Sequence, residues 1–88
     1  MSLYKVFLEK RAQRQLERLD KKTRTKIIEA LRLLGDTGFS ARLDIKRLRG
    51  YKGQYRLRVG RHRVLFELQP EKIIIAHAAL PRKKAYRS

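Results

Sequence analysis

Residues 54–68 read QYRLRVGRHRVLFEL, two runs of alternating apolar and polar side chains separated by a single glycine. Because the side chains of a β-strand repeat with a period of two, each run predicts a strand with one apolar and one polar face. In the first run, Arg56 and Arg58 project together from the polar face. In the second run, the apolar face consists of Val64, Phe66 and Leu68, and the other face of Arg61, Arg63, Leu65 and Glu67.

The sequence before this pair predicts a strand followed by two helices. Residues 3–7 form a short apolar run that favours β-structure. From there on, apolar side chains recur at the spacing of a helix face, first at Leu8, Ala12, Leu16 and Leu19 and then at Ile27, Ala30, Leu31 and Leu34. Asp20 can cap or close a helix, and Gly35 is expected to end the second one. Together the two patterns predict a helical hairpin.

Two further strands are predicted on either side of the alternating pair. Residues 43–48 form a short strand that a glycine-rich turn closes, and residues 73–80 are continuously apolar, as in a strand buried on both faces. His77 lies in this apolar run and is interpreted as a core residue.

The order β-α-α-β-β-β predicts a single α+β domain over residues 1–88, with a basic tail at its end. The helical hairpin is expected to pack on one face of a small twisted, mainly antiparallel sheet. The other face of the sheet then stays free.

The charge of the chain gives the first indication of function. Its 24 Lys and Arg residues against 8 Asp and Glu residues give a formal net charge of +16. Residues 1–44 carry 11 basic and 6 acidic groups, whereas residues 45–88 carry 13 basic and 2 acidic groups. Arg outnumbers Lys by 14 to 10, a bias that suits planar recognition of phosphate. A nucleic acid is therefore the expected partner, bound by the second half of the chain.

Several classes of protein are excluded by composition. The chain has no cysteine, and its histidines are His62 and His77, so disulfide scaffolds, zinc fingers and thiol catalysis do not fit. We expect no cofactor and no metal. No segment has the length and apolarity of a membrane span or a secretory signal, so a cytoplasmic location without a membrane partner is expected.

Four segments carry a more specific pattern: residues 46–50 (KRLRG), 55–58 (YRLR), 61–66 (RHRVLF) and 81–87 (PRKKAYR). In combination they resemble the RelE toxins of bacterial and archaeal toxin–antitoxin pairs, and the ending is most similar to the archaeal members. The resemblance covers essentially the whole chain and implies a RelE-like fold. It also implies a ribosome-dependent endoribonuclease that cuts messenger RNA in the ribosomal A site and is held inactive by a cognate, RelB-like antitoxin.

The resemblance implies roles for individual residues. Arg56 and Arg58 match positions that are commonly lysine in the bacterial relatives, and Arg63 and Arg82 match two arginines tied to the scissile phosphate. Tyr86 matches a tyrosine that stacks on a base or helps proton transfer. Additional contacts to RNA are expected from the other basic residues of the second half, namely Lys46, Arg47, Arg49, Lys52, Arg61, Lys83, Lys84 and Arg87.

Metal-free RNA cleavage needs an attacking 2′-hydroxyl, stabilisation of a five-coordinate phosphorus and a proton for the departing 5′-oxygen. The predicted site offers neither histidine nor carboxylate, because Glu67 lies beyond the arginines and His62 points to the opposite face from Arg63. Arginine cannot act as a base near neutral pH. Electrostatic stabilisation is therefore expected to supply most of the rate, with Tyr86 as proton carrier or stacking platform and with the ribosome positioning the substrate.

Two other functions are compatible with the same sequence. The related ParE toxins share the fold and inhibit DNA gyrase without cutting RNA, and fold alone does not separate the two activities. A simple RNA-binding module would also use a basic sheet face but would show no turnover.

Overall fold

The computed structural model describes residues 2–50 and 52–82. Its elements follow the predicted order of one strand, two helices and then a run of strands. They are β1 (Lys5–Leu8), α1 (Lys10–Glu17), α2 (Lys21–Thr37), β2 (Asp44–Arg47), β3 (Gln54–Val59), β4 (His62–Gln69) and β5 (Ile73–Pro81). None of the described helices is long and apolar enough to cross a membrane.

The five strands form one sheet in the order β1-β5-β4-β3-β2. The pairs β2–β3, β3–β4 and β4–β5 are antiparallel, as predicted. The first strand is the exception, because β1 pairs parallel with β5 in a register that joins Lys5 to Ile73. The first and the last of the described strands are thus neighbours in the sheet, and β5 lies between β1 and β4.

Both helices cover one face of the sheet, which confirms the predicted layers. The apolar side of β3 and β4 is buried at Leu57, Val64 and Phe66, each no more than 1% exposed. These side chains belong to one core with residues of both helices and of β5, namely Leu16, Ile27, Leu31, Leu34, Ile74, Ala76 and Ala79. Burial of this apolar area is the main stabilising contribution to the fold. The opposite side of the sheet, free of helices, is called the open face below.

Asp20 begins the second helix. Its side-chain Oδ2 accepts a hydrogen bond from the backbone N–H of Thr23 at 3.1 Å, which satisfies one of the free donors at the start of α2. Hydrogen bonds to Thr23 hold the pKa of Asp20 below its ordinary value. This acid is therefore ionised at neutral pH, where its negative charge also favours the helix N-terminus.

Gly35 does not end α2, contrary to the prediction. The helix continues to Thr37 and ends at Gly38, whose φ of 75° suits a residue without a side chain. Gly35 instead lies against β1: a Cβ atom there would be 3.2 Å from Val6 Cγ2 and 3.3 Å from the carbonyl oxygen of Tyr4. Helix and strand approach each other so closely here that a Cβ atom would require Val6 or the Tyr4 carbonyl to move by a few tenths of an ångström.

The pairing of β4 with β5 contains an irregularity at His77. Leu65 pairs with Ala78 and Phe66 pairs with Ala76, so His77 is the extra residue of a β-bulge. The interpretation of His77 as a core residue is wrong: its side chain is 32% exposed and contacts carboxylates on the open face. The bulge changes the alternation of β5, which a continuous apolar run in the sequence does not reveal.

Candidate nucleic-acid interface

Arginines of β3 and β4, of the turn between them and of the position after β5 lie on neighbouring segments at one end of the open face. Arg58 is the register partner of Arg63 in the β3–β4 hairpin, and Leu80 of β5 pairs with Arg63 on its other side. Directly after β5, the backbone N–H of Arg82 donates to the carbonyl oxygen of Arg61 at 2.8 Å. Paired residues of neighbouring strands point to the same side of a sheet. We call Arg56, Arg58, Arg61, Arg63 and Arg82 the arginine cluster.

The members of the arginine cluster differ in their exposure to solvent. Arg63 is 2% exposed and Arg56 is 7% exposed, whereas Arg58, Arg61 and Arg82 are exposed. Electrostatic attraction is stronger where water is excluded. The buried guanidinium groups therefore add a field that is poorly screened, and the exposed ones are available to contact a bound anion.

Asp44 is a counter-ion at the edge of the arginine cluster. It pairs with Arg58 in the β2–β3 register, and its Oδ1 lies 3.7 Å from Nη1 of Arg56. The Asp44 side chain is half-exposed, so this ion pair is accessible to water and to competing anions. A phosphate bound at the cluster would compete with Asp44 as the counter-ion of Arg56.

The other basic residues predicted to contact RNA divide into two groups. Lys46 pairs with Arg56 and extends the arginine cluster onto the edge strand β2. Arg47 pairs with Tyr55 and so faces the helix side, whereas Arg49 and Lys52 belong to the turn at the far end of β3. This turn region surrounds a cavity of about 530 Å³ lined by Arg47, Leu48, Arg49, Gly50 and Lys52.

The predicted residues of the basic tail, Lys83, Lys84, Tyr86 and Arg87, lie outside the described residues. Their roles stay predictions. Of the tail residues that the sequence assigns to the site, Arg82, which follows β5 directly, lies within the described residues.

The open face also carries acid–base groups. Glu67 lies on this face beyond the arginines, as predicted, whereas the presence of His77 on the same face was not predicted. Glu67 is the register partner of Gln54 and lies four residue pairs from Arg63 along β4. Gln54 Nε2 donates to Glu67 Oε1 at 2.6 Å, and Gln69 Nε2 donates to Glu67 Oε2. The hydrogen bond from Gln69, followed by that from Gln54 and by the electrostatic contact with His77, holds the pKa of Glu67 below its ordinary value, so this carboxylate is ionised at neutral pH.

His77 lies between two carboxylates from different parts of the fold. Its Nδ1 is 2.5 Å from Glu9 Oε1, and its Nε2 is 3.8 Å from Glu67 Oε1. Glu9 follows β1 directly, and its backbone N–H donates to the carbonyl oxygen of Ala76 at 3.0 Å. We call Glu9, His77 and Glu67 the histidine–carboxylate group. Sequence reasoning missed it because it depends on the bulge in β5 and on the parallel pairing of β1.

The other histidine behaves as predicted. His62 pairs with Val59 and with Pro81 and shares the helix side of β4 with Val64. Within residues 2–50 and 52–82, no group of three or more histidines or acids is arranged to hold a metal ion.

The chain is similar to known toxins in sequence and in structure. The sequence profile of the family described as ParE toxin of the type II toxin–antitoxin system, parDE, matches residues 6–86. No curated protein matches the chain.

Several solved structures share the fold. A chain of the RelB–RelE antitoxin–toxin complex from Methanococcus jannaschii is 27% identical with a TM-score of 0.78, over 91% of this chain and 94% of that one. A chain of the archaeal RelE–RelB complex from Pyrococcus horikoshii is 24% identical with a TM-score of 0.80, over 98% and 99% of the two chains. The isolated E. coli RelE toxin is 16% identical with a TM-score of 0.73, over 89% and 83%.

Proposed function

The chain belongs to the ParE toxin family of type II toxin–antitoxin systems, and we propose that it is a ribosome-dependent endoribonuclease that cleaves messenger RNA in the ribosomal A site. The predicted relation to RelE toxins is confirmed, and the chain is the toxin of a RelBE-type system. What the toxin does to its target is our proposal. In this proposal the cleavage takes place on the ribosome and therefore in the cytoplasm.

The observation that carries the proposal is the arginine cluster. Guanidinium groups from β3, β4 and the end of β5 lie at one end of a sheet face that the helices leave open. Such groups match the geometry of phosphate oxygens, and their charge does not depend on pH near neutrality. A single-stranded RNA backbone is the polyanion that fits an open, strand-lined surface of this kind.

The chemistry proposed for this face is attack of a 2′-hydroxyl on the adjacent phosphorus. The five-coordinate transition state gains negative charge on its non-bridging oxygens. Exposed Arg58 and Arg82 contact these oxygens, and Arg56 and Arg63 stabilise the charge from positions already fixed in the fold. Donors that are fixed before the reaction need no reorganisation when the charge develops. The products are a 2′,3′-cyclic phosphate and a 5′-hydroxyl.

The ribosome supplies what the toxin's surface lacks. An open face does not by itself hold a flexible RNA in line for attack, whereas a messenger fixed in the A site is already oriented, which can account for much of a rate enhancement. The net charge of +16 favours binding to ribosomal RNA, in a manner that weakens as salt rises. Free RNA should accordingly be cut slowly.

The second proposed partner is a cognate, RelB-like antitoxin. Apolar side chains are exposed near the first strand: Leu3 and Phe39, and also Phe7, which its register partner Ile75 places on the open face. A groove of about 270 Å³ lies between α2 and β1, with Val6, Ile28 and Leu31 in its wall. An acidic, amphipathic antitoxin would cover this apolar surface and offset the positive charge.

The test is primer extension on ribosomes programmed with a defined messenger. Wild type should produce a cut in the A-site codon, and Arg63→Ala and Arg82→Ala should each slow cleavage about 10²- to 10³-fold. Arg11→Ala is the matched control, because Arg11 is an exposed arginine on α1. Binding without any cut would favour a simple RNA-binding module. An intact messenger together with inhibited gyrase in a supercoiling assay would favour the ParE-like activity.

A further inference from the structure

We propose that His77 is the general acid of RNA cleavage and protonates the departing 5′-oxygen, with Glu9 as the residue that positions its ring. This inference rests on the proposed nuclease function. It concerns a step that the arginine cluster cannot perform, since guanidinium groups hold their protons throughout the accessible pH range.

The first supporting observation is the environment of the ring. Nδ1 contacts Glu9 Oε1 at 2.5 Å, which fixes both the orientation of the imidazole and the nitrogen that keeps its proton. Nε2 is then the nitrogen that can exchange a proton with a substrate. The side chain is 32% exposed on the open face, so an RNA on that face can reach it. Histidine is the side chain that enzymes use most often for proton transfer, and a third group such as a carboxylate can orient it.

The second observation is the position of His77 relative to the arginines. Ala78, the next residue, pairs with Leu65, and Leu65 pairs with Arg56 on the next strand. Neighbouring strands are about 4.8 Å apart, so the β3 and β5 backbones are roughly 10 Å apart at this level. The proposed step places the scissile phosphodiester group over β4, between an arginine side chain from β3 and the imidazole from β5. The β-bulge brings the histidine to the same face as the arginine cluster.

Charged groups from each neighbouring element face the ring. Glu9 comes from the junction of β1 with α1, and Glu67 comes from β4, where hydrogen bonds keep its carboxylate ionised. The nearest cation by register is Arg56 on β3. An imidazolium has two N–H donors, and the two carboxylates lie toward its two ring nitrogens.

The proposed step is balanced as follows. The 2′-oxygen forms a bond to phosphorus, and its proton passes to water. The bond from phosphorus to the 5′-oxygen breaks, and the electron pair stays on that oxygen. The oxygen takes the proton from Nε2, which leaves a neutral imidazole whose Nδ1–H still donates to Glu9. Water then returns a proton to the ring.

The test uses ribosomes programmed with two messengers that differ in one atom. In the second messenger the 5′-oxygen at the cut is replaced by sulfur. A departing thiolate needs no proton, so the role of a general acid disappears while every other requirement stays the same. We expect His77→Gln to cut the oxygen linkage about 10²- to 10⁴-fold more slowly than wild type and the sulfur linkage at the wild-type rate. Glu9→Gln should show the same pattern with a smaller loss.

One control variant and three possible outcomes test the inference. Arg63→Ala should be slow on both messengers, because charge on phosphorus develops in both cases. His77→Gln that is equally slow on both would show a structural role in joining the start of α1 to the sheet and would overturn the inference. So would wild-type cleavage of the oxygen linkage by His77→Gln, although the nuclease function would stand. Wild type that cuts neither messenger would overturn the nuclease function itself.

Discussion

Arg58 and Arg63 are direct register partners across the β3–β4 hairpin, so two like charges lie side by side on the open face. Like charges at opposed positions of a sheet destabilise it. The register partner of Arg58 on β2 is Asp44, whose half-exposed carboxylate lies 3.7 Å from Nη1 of Arg56. In the proposed function, the exposed Arg58 of this pair contacts a phosphate of the messenger.

Because Arg58 and Arg63 repel each other, we expect that replacing one of them by an uncharged residue raises the free energy of unfolding. Arg58→Thr removes the repulsion and places a β-favouring residue in the strand, so we expect the free energy of unfolding to rise by about 0.2–1 kcal/mol at low salt. Urea unfolding measures it. Because salt screens exposed charges, the gain should shrink at high ionic strength. The same variant should also cleave messenger more slowly. If Arg58→Thr is instead less stable than wild type at low salt, repulsion between Arg58 and Arg63 does not destabilise the fold.

The contact between α2 and β1 predicts that Gly35→Ala destabilises the toxin, although alanine is the better helix former. The added Cβ would be 3.2 Å from Val6 Cγ2 and 3.3 Å from the carbonyl oxygen of Tyr4. Overpacking of this kind costs about 1–3 kcal/mol. Combining it with Val6→Ala should recover part of the loss, since one of the two close atoms is then removed. Additive effects in this double-mutant cycle would argue against the contact as the cause.

Asp20 predicts a dependence of stability on pH. Hydrogen bonds to Thr23 lower its pKa in the folded chain below the ordinary value of about 3.8. A lowered folded pKa means that the stabilisation is present above the unfolded value and is lost as pH falls through the folded one. At pH 7, Asp20→Ala should therefore lower Tm by a few degrees. Thermal melts followed by circular dichroism should show the gap between the two proteins narrowing below pH 4.

The proposed chemistry predicts a strict need for one hydroxyl group. A messenger with a 2′-deoxy nucleotide immediately before the cut should not be cleaved, because the attacking oxygen is missing. Mass spectrometry of the ordinary product should show a 2′,3′-cyclic phosphate. Cutting of the deoxy messenger at the normal rate would mean that water attacks phosphorus instead, and the site would then need a different assignment.

The β3–β4 hairpin could be predicted from the sequence in full. Its alternation is regular, one glycine separates the two runs, and one face is strongly apolar, so the register has a single solution that buries Leu57, Val64 and Phe66. The same regularity gave the placement of Arg56, Arg58 and Arg63 on one side. Local patterns were sufficient here because partner residues are close in sequence.

The features that the sequence did not reveal depend on distant contacts. The role of Gly35 depends on Val6 and Tyr4, which belong to another element. The exposure of His77 depends on an extra residue in β5, and its carboxylate partner Glu9 is 68 positions away. Nothing in the residues next to a glycine or a histidine reports such neighbours, so only the folded chain shows them.

The parallel pairing of β1 with β5 has a consequence for the order of events during synthesis. The first strand emerges from the translating ribosome well before β5, the strand with which it pairs. Until residues 73–82 are available, the sheet lacks the strand between β1 and β4, and neither Arg82 nor His77 is in place. The arginine cluster and the histidine–carboxylate group are therefore both completed by the strand that also closes the sheet.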